Sequence, residues 1–321
     1  MFRLRLLASL AGSARSLVLT VACLVGLAVA FAGAGRDVDN RARAYEFLPK
    51  KPSGDLVLVV IDTPSIKALG AWPWPRGRHG DLITALDKAG ASRIAFDIIF
   101  DQPAADPDQD RQFAQALSRT RADIYFASLL ENLSNGQEKH EALPTASLLP
   151  YVTPVSIWVE SDLDMFHRRV VLNAPVLGQT LPVMAQSLAG TNYPDDRKML
   201  IDWAYWPRSF DRISYSDVLA GRFPKDFFKG KSVLIGSDAF GLGDQYSVPY
   251  HYKIAGMYIQ AAASETLRAG RPVELGNWPA LLAAFLLVSG AVLLRTRWRY
   301  VALTLGMLAL PPAQILIEHF S

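Results

Sequence analysis

The chain has 321 residues, half of them hydrophobic, with a formal net charge of +3 and a single cysteine, Cys23. So weak a basic balance, gathered largely beside apolar blocks, gives no basis for nucleic-acid binding. One cysteine excludes a disulfide framework, but the roughly 240 residues between the apolar ends are enough to bury a core without staples.

Residues 16–35 carry no charge and come after Arg3, Arg5 and Arg15. About 20 apolar residues suffice to cross a bilayer, and flanking arginines keep their side in the cytoplasm. Residues 1–35 therefore read as a basic start and a membrane anchor. A cleaved signal peptide competes, because Ala30-Phe31-Ala32 and Ala32-Gly33-Ala34 offer small-residue cleavage sites. Either reading exports the chain from residue 36 onward. Residues 36–54 are polar, end in Pro and Gly, and read as a linker.

Residues 55–275 read as the exported domain. The runs at 55–62, 92–101, 122–130 and 231–238 are apolar on both alternate faces. Strands of that kind belong in a parallel sheet covered on both sides. Amphipathic stretches lie at 79–90, with Leu82, Ile83 and Leu86 on one face, at 108–120, and at 256–270. Gly90 and Gly270 stop the first and third. The alternation predicts an α/β fold, a mostly parallel or mixed sheet with helices on both faces, flanked by transmembrane helices. The centre is plainer: a loop at 131–149, two strands within 151–176, another strand at 199–206, and no internal repeat.

The apolar blocks at 276–294 and 300–317 read as two more membrane helices. Residues 295–299, with three Arg and Trp298, form a cytoplasmic turn between them. Pro311-Pro312 interrupts the last block, and a buried helical hairpin is the competing reading of the pair. Three crossings put Ser321 outside.

The stretch AWPWPRGRHG, 71–80, stands out. Each Pro removes a backbone donor and restricts its predecessor, so the run is expected to be a rigid loop and not a regular helix. Ligands in open α/β sheets bind at the carboxyl ends of the strands. Asp62, Asp97 and Ser237 fall at or near such ends, Asp244 comes after the last strand, and the loop carrying Trp74 and Arg76 overhangs the same edge. Arg76 or Arg78 is expected to pair with Asp62 or Asp97, since a buried carboxylate needs a partner. Two readings stand: these residues line a small-molecule or ion pocket, or they lock the loop to the sheet and bind nothing. His167-Arg168-Arg169 reads as a solvated turn. There is no GxSxG elbow, no GxxxxGK[ST] loop and no HExxH, and the five His lack metal-ligand spacing. Neither catalysis nor a cofactor is expected.

The order of these motifs resembles the CHASE type 2 family, an extracellular sensory domain of bacterial receptors. Gly70, Trp72, Pro73, Trp74, Pro75 and Arg76 match its GxWPWxR loop. Ile94, Phe96, Asp97 and Phe100 match its second strand, and 230–236 with 241–244 match its GKxVLIG strand and GLxD loop. Val248-Pro249 stands where relatives have Thr-Pro, and Gln260 where they have a helix His. The resemblance implies a sensory module in the inner membrane whose main domain is periplasmic, responding to a small-molecule or protein stimulus. Relatives carry three helices after the domain and a cytoplasmic output; two helices and no output are read here, which implies either a stand-alone or truncated input module or one that acts through a membrane-embedded signalling partner. The Ala- and Gly-rich spans would suit a homodimer. An envelope scaffold that gathers protein partners, and an exported hydrolase using Asp62 or Asp97, are the rival functions.

Overall fold

A computed structural model describes residues 49–270, apart from 133–138, 163–164, 240–241, 243–244 and 250. The compact unit runs from Leu48 to Pro272. In chain order its elements are β1 (Leu56–Ile61), α1 (Thr63–Leu69), α2 (Arg76–Lys88), β2 (Arg93–Ile99), α3 (Pro107–Arg119), β3 (Asp123–Asn132), β4 (Lys139–Ala142) and β5 (Thr153–Ser156). Next come β6 (Val159–Glu160), β7 (Arg169–Val171), β8 (Asn173–Val176), β9 (Gln179–Pro182), α4 (Met184–Ala189), β10 (Lys198–Leu200), β11 (Asp211–Ser214) and α5 (Tyr215–Leu219). The last are β12 (Ser232–Ser237), β13 (Gln245–Val248), β14 (His251–Ala255) and α6 (Gly256–Ala269).

The four runs apolar on both faces became β1, β2, β3 and β12. They form the middle of a seven-stranded sheet in the order β11-β1-β12-β2-β3-β4, with β5 also on β3. Every pair is parallel except β3 with β4. Alternate residues serve opposite layers, as the strand period requires. Val57, Val59, Ile61, Ile94, Phe96, Val233 and Ile235 pack with Leu82, Ile83 and Leu86 of α2, Phe113 and Leu117 of α3, and Tyr215 and Val218 of α5. The other face is covered by α4 and α6. Helix α6 is buried from Met257 to Leu267. It sits so close to β12 that a Cβ on Gly236 would lie 2.8 Å from Met257 Cβ, which explains a Gly inside a central strand.

The centre departs from expectation. The segment 131–149 is not all loop: it holds the end of β3 and β4. Four strands, β5 to β8, lie within 151–176 where two were expected. They are two to four residues long, too short to show a period. The strand expected at 199–206 stops at Leu200. There the Asp202 side chain accepts from Ala204 N at 2.9 Å, turning the backbone as Asx residues do. The linker joins the domain before residue 55, since Lys50 N donates to Ala204 O at 2.8 Å. Among the described residues no helix is long and apolar enough to cross a membrane. The three expected spans, 16–35, 276–294 and 300–317, lie outside the described residues.

Candidate functional site

The site begins where β2 loses its neighbours. Its pairing with β12 ends at Phe96↔Ile235, while β12 continues along β1 to Ser237↔Ile61. On its other side β2 pairs Phe96 with Phe126 and then Ile99 with Ala127. Asp97 and Ile98 are therefore extra residues in a bulge, a device that re-aims side chains. The chain after β2 leads to α3 on one face, whereas the chain after β12 leads to α6 on the other. That divergence makes the crevice at the carboxyl edge a switch point of the kind that holds ligands in open α/β sheets.

A cavity of about 750 Å³ occupies the crevice. Trp72, Pro73, Trp74 and Pro75 form one wall, and the bulge from Asp97 to Phe100 forms another. Ser237, Tyr246, Gly256 and Gln260 also line it, as do Asp106, Gln109 and His79. The volume is in the range of pockets that hold small organic molecules. Of the expected site residues, Trp74, Arg76, Asp97 and Ser237 are brought together here. Asp62 is not, and Asp244 lies outside the described residues.

Asp62 has another task. As N-cap of α1 it accepts from Ser65 N at 2.9 Å and Ser65 Oγ at 2.6 Å, and its second oxygen accepts from Ser214 Oγ. Both oxygens are engaged by neutral donors, so the expected Asp62–arginine pair does not form. Arg76 is likewise not tied to a strand carboxylate. It bonds Asp110 of α3 and Gln102 O, and its guanidinium lies 5.4 Å from the Phe100 ring centroid. Asp110 is 7% exposed and also accepts from Ala104 N at 3.1 Å. Arg78 bonds Leu69 O. The lock is real, but it joins the loop to α3 and to its own neighbours.

The tryptophan loop also ends sooner than expected. Pro75 is the N-cap of α2 and residues 76–80 are its first turns. Proline is tolerated at a helix start because the missing donor has no intrahelical acceptor there. Gly77 N, an amide that the helix leaves over, donates to Gln109 Oε1 at 3.0 Å. Trp74 Nε1 donates to Gly70 O at 2.9 Å. Its ring contacts Trp72 edge-on at 5.2 Å between centroids and Tyr215 at 4.8 Å.

His79 was not expected at the site. It is 1% exposed, among Trp72, Phe96, Phe100 and Phe113. Its spacing to Leu82, Ile83 and Leu86 on one helix face was the available signal. Burial, reinforced by the positive charges of Arg76 and then Arg78, pushes its pKa down to about 3, so the imidazole is neutral. Burial raises the Tyr215 phenol well above its usual value, so that hydroxyl keeps its proton. Tyr215 Oη is 3.2 Å from Arg78 O, which can only accept, and 2.8 Å from His79 Nδ1.

Gln260, the departure from the family pattern, is 1% exposed. It accepts from Ala185 N at 3.2 Å and donates to Ile157 O at 3.4 Å. It joins α6 to α4 and the strand segment beside the cavity. His167-Arg168-Arg169 is not a solvated turn. Arg168, 8% exposed, donates to Asp162 at 2.8 Å, Arg169 reaches the same carboxylate, and His167 N donates to Ser247 O at 2.9 Å. Among the described residues no group of three His, Cys, Asp or Glu is placed to hold a metal.

Neither the curated proteins nor the solved structures offer a match. A family model described as the CHASE2 domain matches residues 18–294, a stretch that contains the tryptophan loop, the bulged strand and the cavity. That span covers most of the chain, and with the motif order and the parallel α/β core it leads to one conclusion: this protein belongs to the CHASE2 family of extracellular sensory domains.

Proposed function

We propose that the chain is a membrane-anchored, extracytoplasmic input module of a bacterial signalling system, and that it works by binding a small molecule and not by catalysis. The observation that carries this reading is the cavity at the switch point, walled by the tryptophan loop and the bulge of β2. Asp62, the first carboxylate a hydrolase would use, is consumed as a helix cap. The uncharged block at 16–35 behind three arginines supports the anchor and the periplasmic placement. Binding would shift the balance between two arrangements of the module, and a membrane-embedded partner or a second copy of the chain would read the shift.

The test is a thermal-unfolding screen of the full-length chain in detergent against a pool of small metabolites, run beside Trp72→Ala. Saturable stabilisation of the native protein that is lost in the variant supports sensing. Stable co-purification of a protein partner, with no small-molecule response, favours scaffolding instead. Reporter fusions at Ser321 test the membrane count; an extracytoplasmic signal is expected.

A further inference from the structure

The charged groups along the cavity are Arg76, Asp97 and Asp106, and each already has company. Arg76 is bonded to Asp110 and to Gln102 O. Asp106 is exposed to water and caps α3, accepting from Asp108 N at 3.0 Å. Asp97 is engaged within the chain as well. The amides are committed too: Gln109 Oε1 holds Gly77 N, and Gln260 joins Ala185 N to Ile157 O. A charged ligand would compete with the protein's own partners for every counter-charge in the wall.

What the wall offers freely is apolar surface. Trp72, Ile98, Ile157 and Tyr246 are only half-buried. Ile99 is 36% exposed, at the end of a central strand whose pairing with β12 has already stopped. Covering such area is favourable in proportion to the water it displaces. Carrying a charge from water against the same wall costs free energy that only an available partner could offset. The wall is also stiff: two prolines alternate with its tryptophans, and Trp74 Nε1 is tied to Gly70 O at 2.9 Å. A stiff wall loses little freedom when a ligand packs on it.

We propose that this cavity takes an uncharged small molecule with a compact apolar body of one or two rings, held by burial against Trp72 and Ile99 and not by an ion pair. The volume of about 750 Å³ accommodates a body of that size. This inference rests on the sensory reading above, and the experiment separates the two.

Binding of 2-naphthalenemethanol, 2-naphthylmethylamine and 2-naphthoate to the full-length chain in detergent is measured by titration calorimetry, with the same detergent alone as the blank. The three probes share one ring system and are neutral, cationic and anionic at neutral pH. The expected result is a neutral probe at least about tenfold tighter than either charged one, a difference of about 1.4 kcal/mol. Its affinity should fall at least about tenfold in Trp72→Ala and in Ile99→Glu, which plants a charge at a wall position already open to water. If Trp72→Ala does not fold by circular dichroism, Ile99→Glu and the wild-type selectivity decide. Equal or tighter binding of a charged probe, changed by either variant, overturns the uncharged ligand and leaves the cavity as a binding site. Binding that neither variant changes lies elsewhere and overturns the inference, as does no binding by any probe; the sensory reading is then judged by the metabolite screen alone.

Discussion

Helix α6 has two ends with opposite habits. At the carboxyl edge of the sheet it opens with Gly256 and Gln260 against a cavity that His79 and the tryptophan loop also line. At the amino edge it closes on a clamp in which buried charge is heavily used. Glu265, 2% exposed, accepts from Ser53 N at 2.7 Å and Ser53 Oγ at 2.9 Å. Arg268 reaches Leu188 O at 2.6 Å and Ser232 Oγ at 3.2 Å, and lies 3.5 Å from Asp55. Thr266 Oγ1 accepts from Asp202 N at 3.0 Å, and Asp202 in turn holds Lys50 at 2.7 Å. The clamp ties the entering chain to the helix on which the described domain ends. The difference teaches what each end is for: at the clamp the buried charges are engaged by their own chain, Arg268 through Leu188 O, Ser232 and its acidic neighbours, whereas a binding surface must leave bonds unmade until the ligand arrives.

The sharpest way to break the comparison is at the clamp. Glu265→Ala strands Ser53 N and removes the carboxylate beside Arg268, and should cost about 4 kcal/mol in urea unfolding. A loss below about 1 kcal/mol would mean that the clamp is decorative. Next comes pH. His79 has a folded pKa of about 3 and an ordinary value near 6.5 when unfolded. Below that value the unfolded chain takes up a proton that the native state refuses, so stability falls as pH drops. Between pH 7 and pH 4 this one group should remove roughly 3 kcal/mol, and His79→Gln should flatten that part of the profile.

Smaller effects sharpen the contrast. Gly236→Ala pushes a methyl to within 2.8 Å of Met257 Cβ and should cost about 2 kcal/mol by forcing α6 off β12. Because it acts between the two ends, it should weaken ligand binding and stability together. Gln109→Ala frees Gly77 N at the cavity edge and should cost about 1 kcal/mol, measured by the shift of the unfolding midpoint.

Much of this architecture was legible before any coordinate. The runs at 55–62, 92–101, 122–130 and 231–238 differ from β1, β2, β3 and β12 by no more than two residues at any boundary. Segments apolar on both faces have no stable place except the middle of a covered sheet. The helix at 108–120 lies one residue from α3, because Asp106 and Pro107 mark its start. Among the short strands the expectation was coarse, two within 151–176 against the four found, none at β9, and one at 199–206 that is only β10, since two to four residues carry no period and their pairing is made by distant partners. Trp74, Arg76, Asp97 and Ser237 line one cavity at the carboxyl edge, whereas Asp62, expected beside them, caps α1.

The sequence by itself determined the segments and their stiffness. Apolar runs chose the central strands, and Pro73 and Pro75, one after each tryptophan of the loop, chose a rigid wall. These constraints act within a few bonds of the residue that imposes them. Only the tertiary structure decided which charge meets which. Arg76 finds Asp110, 34 positions away, and not Asp62, because a helix packed beside the loop delivers one carboxylate while serines have already taken the other. Ion pairs and buried acceptors are settled by packing between segments, and that packing turned a helical histidine and a bulged aspartate into the lining of one cavity.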